Sequence, residues 1–244
     1  MIQQNNGYGQ TYDQNIESAT LAKTFMSRVF AWMFIALAAT AATAYVFAGS
    51  PSLMGLMVNE TGGMSILGWV VMLAPLGFVF YLNSRFQRMS RNSMILLFLV
   101  FSVLMGMSLS FVLLIYTSAS VFSTFIVTSG TFGLMALVGY TTKTDLTKFG
   151  SILMMGLVGI ILASIVNFFM QSGTMEYIIS ILGVLIFTGL TAYDVQKLKN
   201  IGLAIGPNRG ADSDKLAIMG ALTLYLDFIN LFLFLLRFLG DRKQ

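Results

Sequence analysis

Cysteine and histidine are both missing from the 244 residues. Their absence excludes disulfides, thiol or Ser-His nucleophiles, zinc sites of the usual type and an imidazole pH switch. Any proton chemistry near neutral pH therefore falls to carboxylates. Charge is scarce too: Asp, Glu, Lys and Arg together make 10% of the chain, against roughly a quarter in a soluble domain. Proline is rare, at 3 residues, whereas 57% of the chain is hydrophobic, with 21 Phe, 17 Met and 23 Gly. Such a composition excludes a water-soluble globule and suits helices packed closely in lipid, where small residues let backbones approach. The net charge is +4. The cations stand between apolar runs rather than in one basic block, so nucleic acid is not an expected partner.

The first residues, Gln3, Gln4, Asn5, Asn6, Gly7, Tyr8, Gly9 and Gln10 among them, are polar and bury too little apolar surface to order themselves. A disordered cytoplasmic tail is expected over 1–22, followed by a transmembrane domain over 23–244. The first cation is Lys23, and the apolar stretch that follows is long and lacks a cleavage site, so it reads as a retained anchor rather than a signal peptide.

Charge-free gaps divide the domain, because a helix needs about 20 apolar residues to cross a bilayer. One span fits between Arg28 and Glu60, ending near Gly49, Ser50 and Pro51, and a second between Glu60 and Arg85. The uncharged gap from Arg91 to Lys143 is too long for one helix, and Thr117, Ser118, Ala119 and Ser120 divide it into spans three and four. Spans five and six are expected over about Phe149 to Met170 and Tyr177 to Leu198. A loop over Gly202 to Asp214, with Gly206, Pro207, Asn208 and Gly210, leads to a seventh helix capped by Asp212 or Ser213 and ending near Leu239. The expected fold is all-α and polytopic, with seven transmembrane helices.

Lys and Arg orient it. Lys23, Arg28, Arg85, Arg88, Arg91, Lys143, Lys148, Lys197, Lys199, Arg209 and Lys215 fall in the tail and the loops after spans two, four and six, whereas the other loops hold none. The N-terminus is thus expected in the cytoplasm. Arg237, Arg242 and Lys243 dissent, and a re-entrant last segment, which would bring them inside, is the alternative.

Asp227 is the most informative residue. It lies mid-helix in the run Leu222, Thr223, Leu224, Tyr225, Leu226, Asp227, Phe228, Ile229, Asn230, Leu231 and Phe232, with no cation within helical reach. A carboxylate there costs roughly 2.5–3.5 kcal/mol to insert, so it must face the bundle interior. Thr223 and Asn230, at i−4 and i+3, share its face and are candidates to line a pore. Asp194, after Gly189, Leu190, Thr191, Ala192 and Tyr193, ends span six, where Lys197 at i+3 offers an ordinary interfacial pair. Two carboxyls on consecutive helices can meet, and in a poorly solvated interior they cannot both ionise cheaply. Such a pair shares one proton and makes a pH-sensing gate. Arg85 and Arg88 are candidates to latch a freed carboxylate, the alternative being that they and Arg91 only anchor helix ends. Glu60 and Glu176 read as solvated loop acids, and Lys143, Asp145 and Lys148 as a solvated turn.

Three stretches carry a resemblance: Thr142 to Gly150; Ala192, Tyr193, Asp194, Val195 and Gln196; and Tyr225 to Phe232. Together they resemble the Bax inhibitor-1 family, also called the transmembrane Bax inhibitor motif family, over essentially the whole chain after the tail. The resemblance implies a last helix that is central, surrounded by the other six. It also implies a pH-dependent calcium leak controlled by the aspartate pair and, in eukaryotic relatives, suppression of cell death from the endoplasmic reticulum. A longer loop before the last helix and the lack of a strongly basic tail depart from many relatives; the second argues against a tail-based pH sensor.

The expected function is a non-enzymatic, pH-sensitive calcium or cation leak channel of a bacterial-type inner membrane, or of the endoplasmic reticulum if the chain is eukaryotic. Calcium takes six to eight oxygen ligands, more than Asp194, Asp227, Thr223 and Asn230 provide. Its occupancy is thus expected to be weak and transient, with no tight metal and no other cofactor. One rival is a non-conducting regulator of another membrane protein, such as a protease or a stress or cell-death component. The other is an intramembrane aspartyl protease, similar to the presenilin type in Tyr193 and Asp194 but lacking that type's Gly-x-Gly-Asp motif. A monomer is expected to suffice, because seven helices can enclose their own acids.

Overall fold

A computed structural model describes residues 6–59, 63–205 and 211–243. Its elements are α1 (Asn6–Gly49), α2 (Pro51–Met57), α3 (Ile66–Arg85), a single 3-10 turn (Phe86–Arg88), α4 (Arg91–Ile115), α5 (Ser118–Thr141), α6 (Thr147–Met170), α7 (Gly173–Ala204) and α8 (Ala211–Leu239). Six helices are long and apolar enough to cross a membrane. The 20-residue α3 is the shorter apolar helix beside them; at 1.5 Å per residue it reaches about 30 Å, one hydrocarbon thickness. The protein is an all-α, multi-pass membrane protein. Helices satisfy their own backbone within lipid, and only their ends need help. Ser65, Ser90, Thr117 and Ser172 supply it, each accepting a backbone N–H three residues on, at 3.0–3.4 Å.

α8 is the central helix. In its apolar window 61% of residues are buried, against 6% for α6, and it packs on α1, α4, α5 and α7. The implied ring of six is uneven, since α3 packs chiefly on α4 and α6 on α7. Close approaches carry these contacts: the ring of Tyr193 on α7 lies against Gly150 on α6, and Thr40 on α1 sits against Gly106 on α4.

Several boundaries differ from the sequence expectation. The tail expected to be disordered over 1–22 is helical from Asn6, because a polar stretch joined to a long helix extends it without a new nucleus. Ala22 is already buried, against Gly202 of α7. A short α2, unforeseen, begins with Pro51 at its first turn and buries Met54 and Met57 beside Val71 of α3. α7 runs on to Ala204 and α8 starts at Ala211, so Asp212 and Ser213 lie inside the first turn rather than capping it. Glu60, Gly206, Pro207, Asn208, Arg209 and Gly210 lie outside the described residues.

The last helix is continuous over Ala211–Leu239 and runs from the end that carries Arg28 and Arg91 to the α4–α5 turn. Beyond it the chain pairs with the α4–α5 turn, where Thr117 donates its N–H to the Asp241 carbonyl at 3.1 Å and Lys243 its N–H to Ile115 at 2.8 Å. Arg237, Arg242 and Lys243 therefore stand at the end opposite Arg28, Arg85, Arg91, Lys143 and Lys197. Glu176 meets Arg242 at 3.2 Å and Arg237 at 3.8 Å. It is a first-turn residue of α7 in an ion-pair cluster, not a loop acid.

A buried polar chain ties α8 to α1 and α4. The Tyr225 hydroxyl donates to Thr40 Oγ1 at 2.7 Å, and Thr40 donates to the Ser102 carbonyl at 2.9 Å. Phe98 and Phe101 pack edge-on against the tyrosine ring. Tyr225→Phe removes a donor and leaves Thr40 satisfied, at an expected cost of about 0.5–1.5 kcal/mol. Thr40→Val strands the buried tyrosine hydroxyl and should cost more, about 1–3 kcal/mol. Thermal unfolding in detergent checks the order; equal midpoints would contradict it.

Candidate gating site

Residues two apart on a helix point about 200° away from each other. On α8, Tyr225 faces α1 and α4, so Asp227 is turned toward α7, which carries Asp194. The two carboxyls meet within hydrogen-bonding reach of each other. Asp227 is 5% exposed, and its Oδ2 receives no hydrogen bond from any other described side chain. Asp194 is half-buried. Lys197, the alternative partner expected for Asp194, is exposed and leans over the Tyr193 ring at 5.9 Å from its centre. It acts on Asp194 through space rather than as a contact ion pair. Two acids in contact, one of them without any other donor, can share a proton between them.

Thr223 and Asn230 share the Asp227 face as expected, and both are half-buried. Each bonds back to its own helix, Thr223 to the Met219 carbonyl at 3.2 Å and Asn230 Nδ2 to Leu226 at 2.8 Å. The lone pairs of the hydroxyl and the Asn230 Oδ1 stay available to a passing cation. Among the described residues no three acidic, histidine or cysteine side chains converge. A cation at the pair would meet two carboxyls and complete its oxygen shell from hydroxyls, carbonyls and water.

Arg85 and Arg88 are exposed, and neither joins an ion pair among the described residues. The arginines that do engage the last helix are Arg28 of α1 and Arg91 of α4, which hold Asp214 at 2.7 and 3.1 Å. Sequence reading missed Asp214, because a carboxylate in a helix's first turn is ordinary and its partners come from distant segments.

Gln196 was also missed as a working residue, although it stands two positions after Asp194. It is 9% exposed, accepts the Leu146 N–H at 2.8 Å and donates to the Thr144 carbonyl at 2.8 Å. One side-chain amide thus clamps the α5–α6 turn to the helix that carries Asp194. Lys199 adds a second tie, donating to the Tyr140 carbonyl at 2.8 Å. Within the same turn, which is solvated as expected, Asp145 accepts the N–H and hydroxyl of Thr147, and these bonds hold its carboxyl below the usual carboxylate range. Gln196→Ala should release the turn. Losing a bond worth about 1 kcal/mol corresponds to roughly fivefold faster amide exchange at Leu146, read by hydrogen–deuterium exchange of residues 142–150. Unchanged exchange would mean that the clamp does not hold the turn.

The family described as inhibitor of apoptosis-promoting Bax1 matches residues 22–244. Inner membrane protein YbhL of Escherichia coli strain K12 is 44% identical over 95% of this chain and 97% of its own length. An uncharacterized protein of Borreliella burgdorferi is 42% identical over the same shares, and an uncharacterized membrane protein of Streptococcus pyogenes serotype M1 is 33% identical over 88% and 92%.

Proposed function

The chain belongs to the Bax inhibitor-1 family, and we propose that it is a non-enzymatic calcium leak channel gated by the proton shared between Asp194 and Asp227. The observation that carries this reading is the meeting of two carboxyls, from the two most buried helices, with no cation among the described residues in contact with either. A single proton bridges them. When it leaves, two like charges face each other across a low-dielectric contact and the contact weakens. The charged groups that act on the pair are the two acids themselves and Lys197, one turn beyond Asp194 on α7. Arg85 and Arg88 stand at the same end of the bundle and serve as latch candidates for a released Asp194.

Calcium would pass weakly held, exchanging water for carboxyl, hydroxyl and amide oxygens without a closed cage. The bundle end that carries Arg28, Arg85, Arg91, Lys143 and Lys197 lies in the cytoplasm under the positive-inside rule, which also places the N-terminus there. The likeness to an inner membrane protein supports the same membrane for this chain.

Purified protein in liposomes loaded with a calcium indicator tests the reading directly. A protein-dependent calcium influx that changes between mildly acidic and neutral pH is the expected result. No influx at any pH would remove the channel and leave a regulatory role for the carboxyl pair.

A further inference from the structure

We infer that Gln196 is a positioning residue for the gate, fixing the rotation of α7 so that the Asp194 carboxyl points at Asp227. This rests on the channel reading and adds to it what holds one half of the pair in place.

Residues 139–150 wrap one side of α7, from the end of α5 to the start of α6. Gly139 lies against the Ala192 backbone, the Tyr140 carbonyl accepts from Lys199 at 2.8 Å, and Gly150 faces the Tyr193 ring. Between them Gln196 takes both of its bonds to the turn, at Thr144 and Leu146. Ala192, Gln196 and Lys199 stand at i, i+4 and i+7, which is one stripe of a helix. Asp194 lies two residues from both Ala192 and Gln196 and so projects from the opposite side, toward α8. The helix is thus seated by its back on α5, the turn and α6, with the carboxyl at its front.

Small rotations matter here. At a side-chain radius of about 6 Å, a turn of about 15° carries a carboxyl about 1.5 Å. A hydrogen bond does not survive that displacement. Of the three stripe residues, Gln196 alone offers a donor and an acceptor in one fixed plane, and both are used. It is 9% exposed. An apolar side chain of similar volume would bury there without desolvating an amide, so the polar clamp specifies an orientation that apolar packing would not. The turn is stiff enough to act as the fixed point: Thr142 Oγ1 accepts the Thr144 N–H at 3.2 Å, and Asp145 accepts the N–H and hydroxyl of Thr147 at 2.9 and 2.6 Å. The stretch Thr142 to Gly150, which carries part of the family resemblance, thereby acquires a role as the seat of the helix that bears Asp194.

The charged groups around Asp194 leave the clamp as a mechanical influence rather than an electrostatic one. Asp227 faces it from α8, and Lys197 acts from its own helix. Lys143, Asp145 and Lys148 of the turn are exposed, and Lys199 is drawn to the back of α7. From α1, Lys23 is exposed and Arg28 is held by Asp214. The Gln196 amide is neutral, so its removal changes no charge.

Gln196→Met keeps the length of the side chain and removes both bonds. Thr141→Val is the control, on an exposed position of α5 where the hydroxyl donates to the Leu137 carbonyl of its own helix. Three readouts separate positioning from support of the fold. Amide exchange at Leu146 reports release of the turn. The infrared band of protonated carboxyl at mildly acidic pH, recognised as the band that Asp227→Asn alters, reports the pair without any flux. Calcium leak from liposomes reports the gate. In Gln196→Met the exchange should quicken and the band should move and broaden. The change of leak per pH unit should fall from up to about tenfold to below about threefold. Thr141→Val should match the wild type in all three. A released turn with an unmoved band, or with an unmoved pH profile in protein that leaks, would overturn the inference and leave a clamp that only supports the fold. Unchanged exchange at Leu146 would overturn it as well. If the wild type leaks no calcium at any pH while Gln196→Met still moves the band, the channel reading fails and the positioning of Asp194 stands. Lys199→Met cuts the neighbouring tie on the same stripe and supplies the same comparison if Gln196→Met does not fold.

Discussion

Asp194→Asn and Asp227→Asn, each verified to insert normally, should flatten the pH profile of calcium leak. A gate set by one shared proton changes its open population by up to about tenfold per pH unit, since one unit is 1.36 kcal/mol of differential interaction. Each substitution keeps the shape of the side chain and removes one titrating partner. In Asp227→Asn the new amide can donate to Asp194, and in Asp194→Asn it can donate to Asp227, so the contact persists without a proton to lose. Leak in either variant should then vary by less than about twofold over the range where the wild type responds. The near-isosteric change separates gating from folding, which thermal unfolding in detergent confirms. If both variants keep the wild-type profile, the pair does not sense pH and is a structural contact between helices.

A large effect on stability is expected at Gly139. A methyl group there would collide with the Ala192 carbonyl, a backbone atom that no rotamer change can move aside. α5 and α7 must separate, and overpacking of this kind costs about 1–3 kcal/mol. Gly130 and Gly133, on the same helix, have nothing within 4 Å of the added carbon. Alanine at those positions should be neutral or stabilising by up to about 1 kcal/mol from helix propensity. Thermal unfolding of Gly139→Ala beside Gly130→Ala in the same detergent makes the comparison internal. Equal midpoints would show that α5 and α7 are not in tight backbone contact. Because Ala192 is two residues from Asp194, the same substitution should also disturb the carboxyl pair.

The family is legible in three short stretches of sequence, and the spans and the buried acid are legible because the free energy of insertion into lipid is set residue by residue. An uncharged run long enough to cross reads as a span wherever it folds, and a carboxylate in its middle must find the interior whatever its neighbours are. Asp227 could be singled out on that ground alone, and Thr223 and Asn230 followed from helical periodicity. The turn at Thr117 was visible because a cap needs only a side-chain oxygen and an N–H three residues away.

Other features depend on how the helices rotate against one another. Periodicity places Tyr225 opposite Asp227, but only packing decides that one meets Thr40 and the other Asp194. Arg85 and Arg88 looked as able to latch as any arginine, yet Arg28 and Arg91 are the ones that reach the last helix, at Asp214, because α1 and α4 are the helices packed there. Gln196 carries no local sign of a clamp, because its partners Thr144 and Leu146 lie about fifty residues away along the chain. Composition and charge spacing thus determined the all-α, multi-pass membrane class and singled out Asp227 as an acid that must be inside. The pairing of Asp227 with Asp194 and the clamp beside it were decided by the tertiary structure, because side-chain partners in a bundle are chosen by interhelical geometry that no local stretch of sequence encodes.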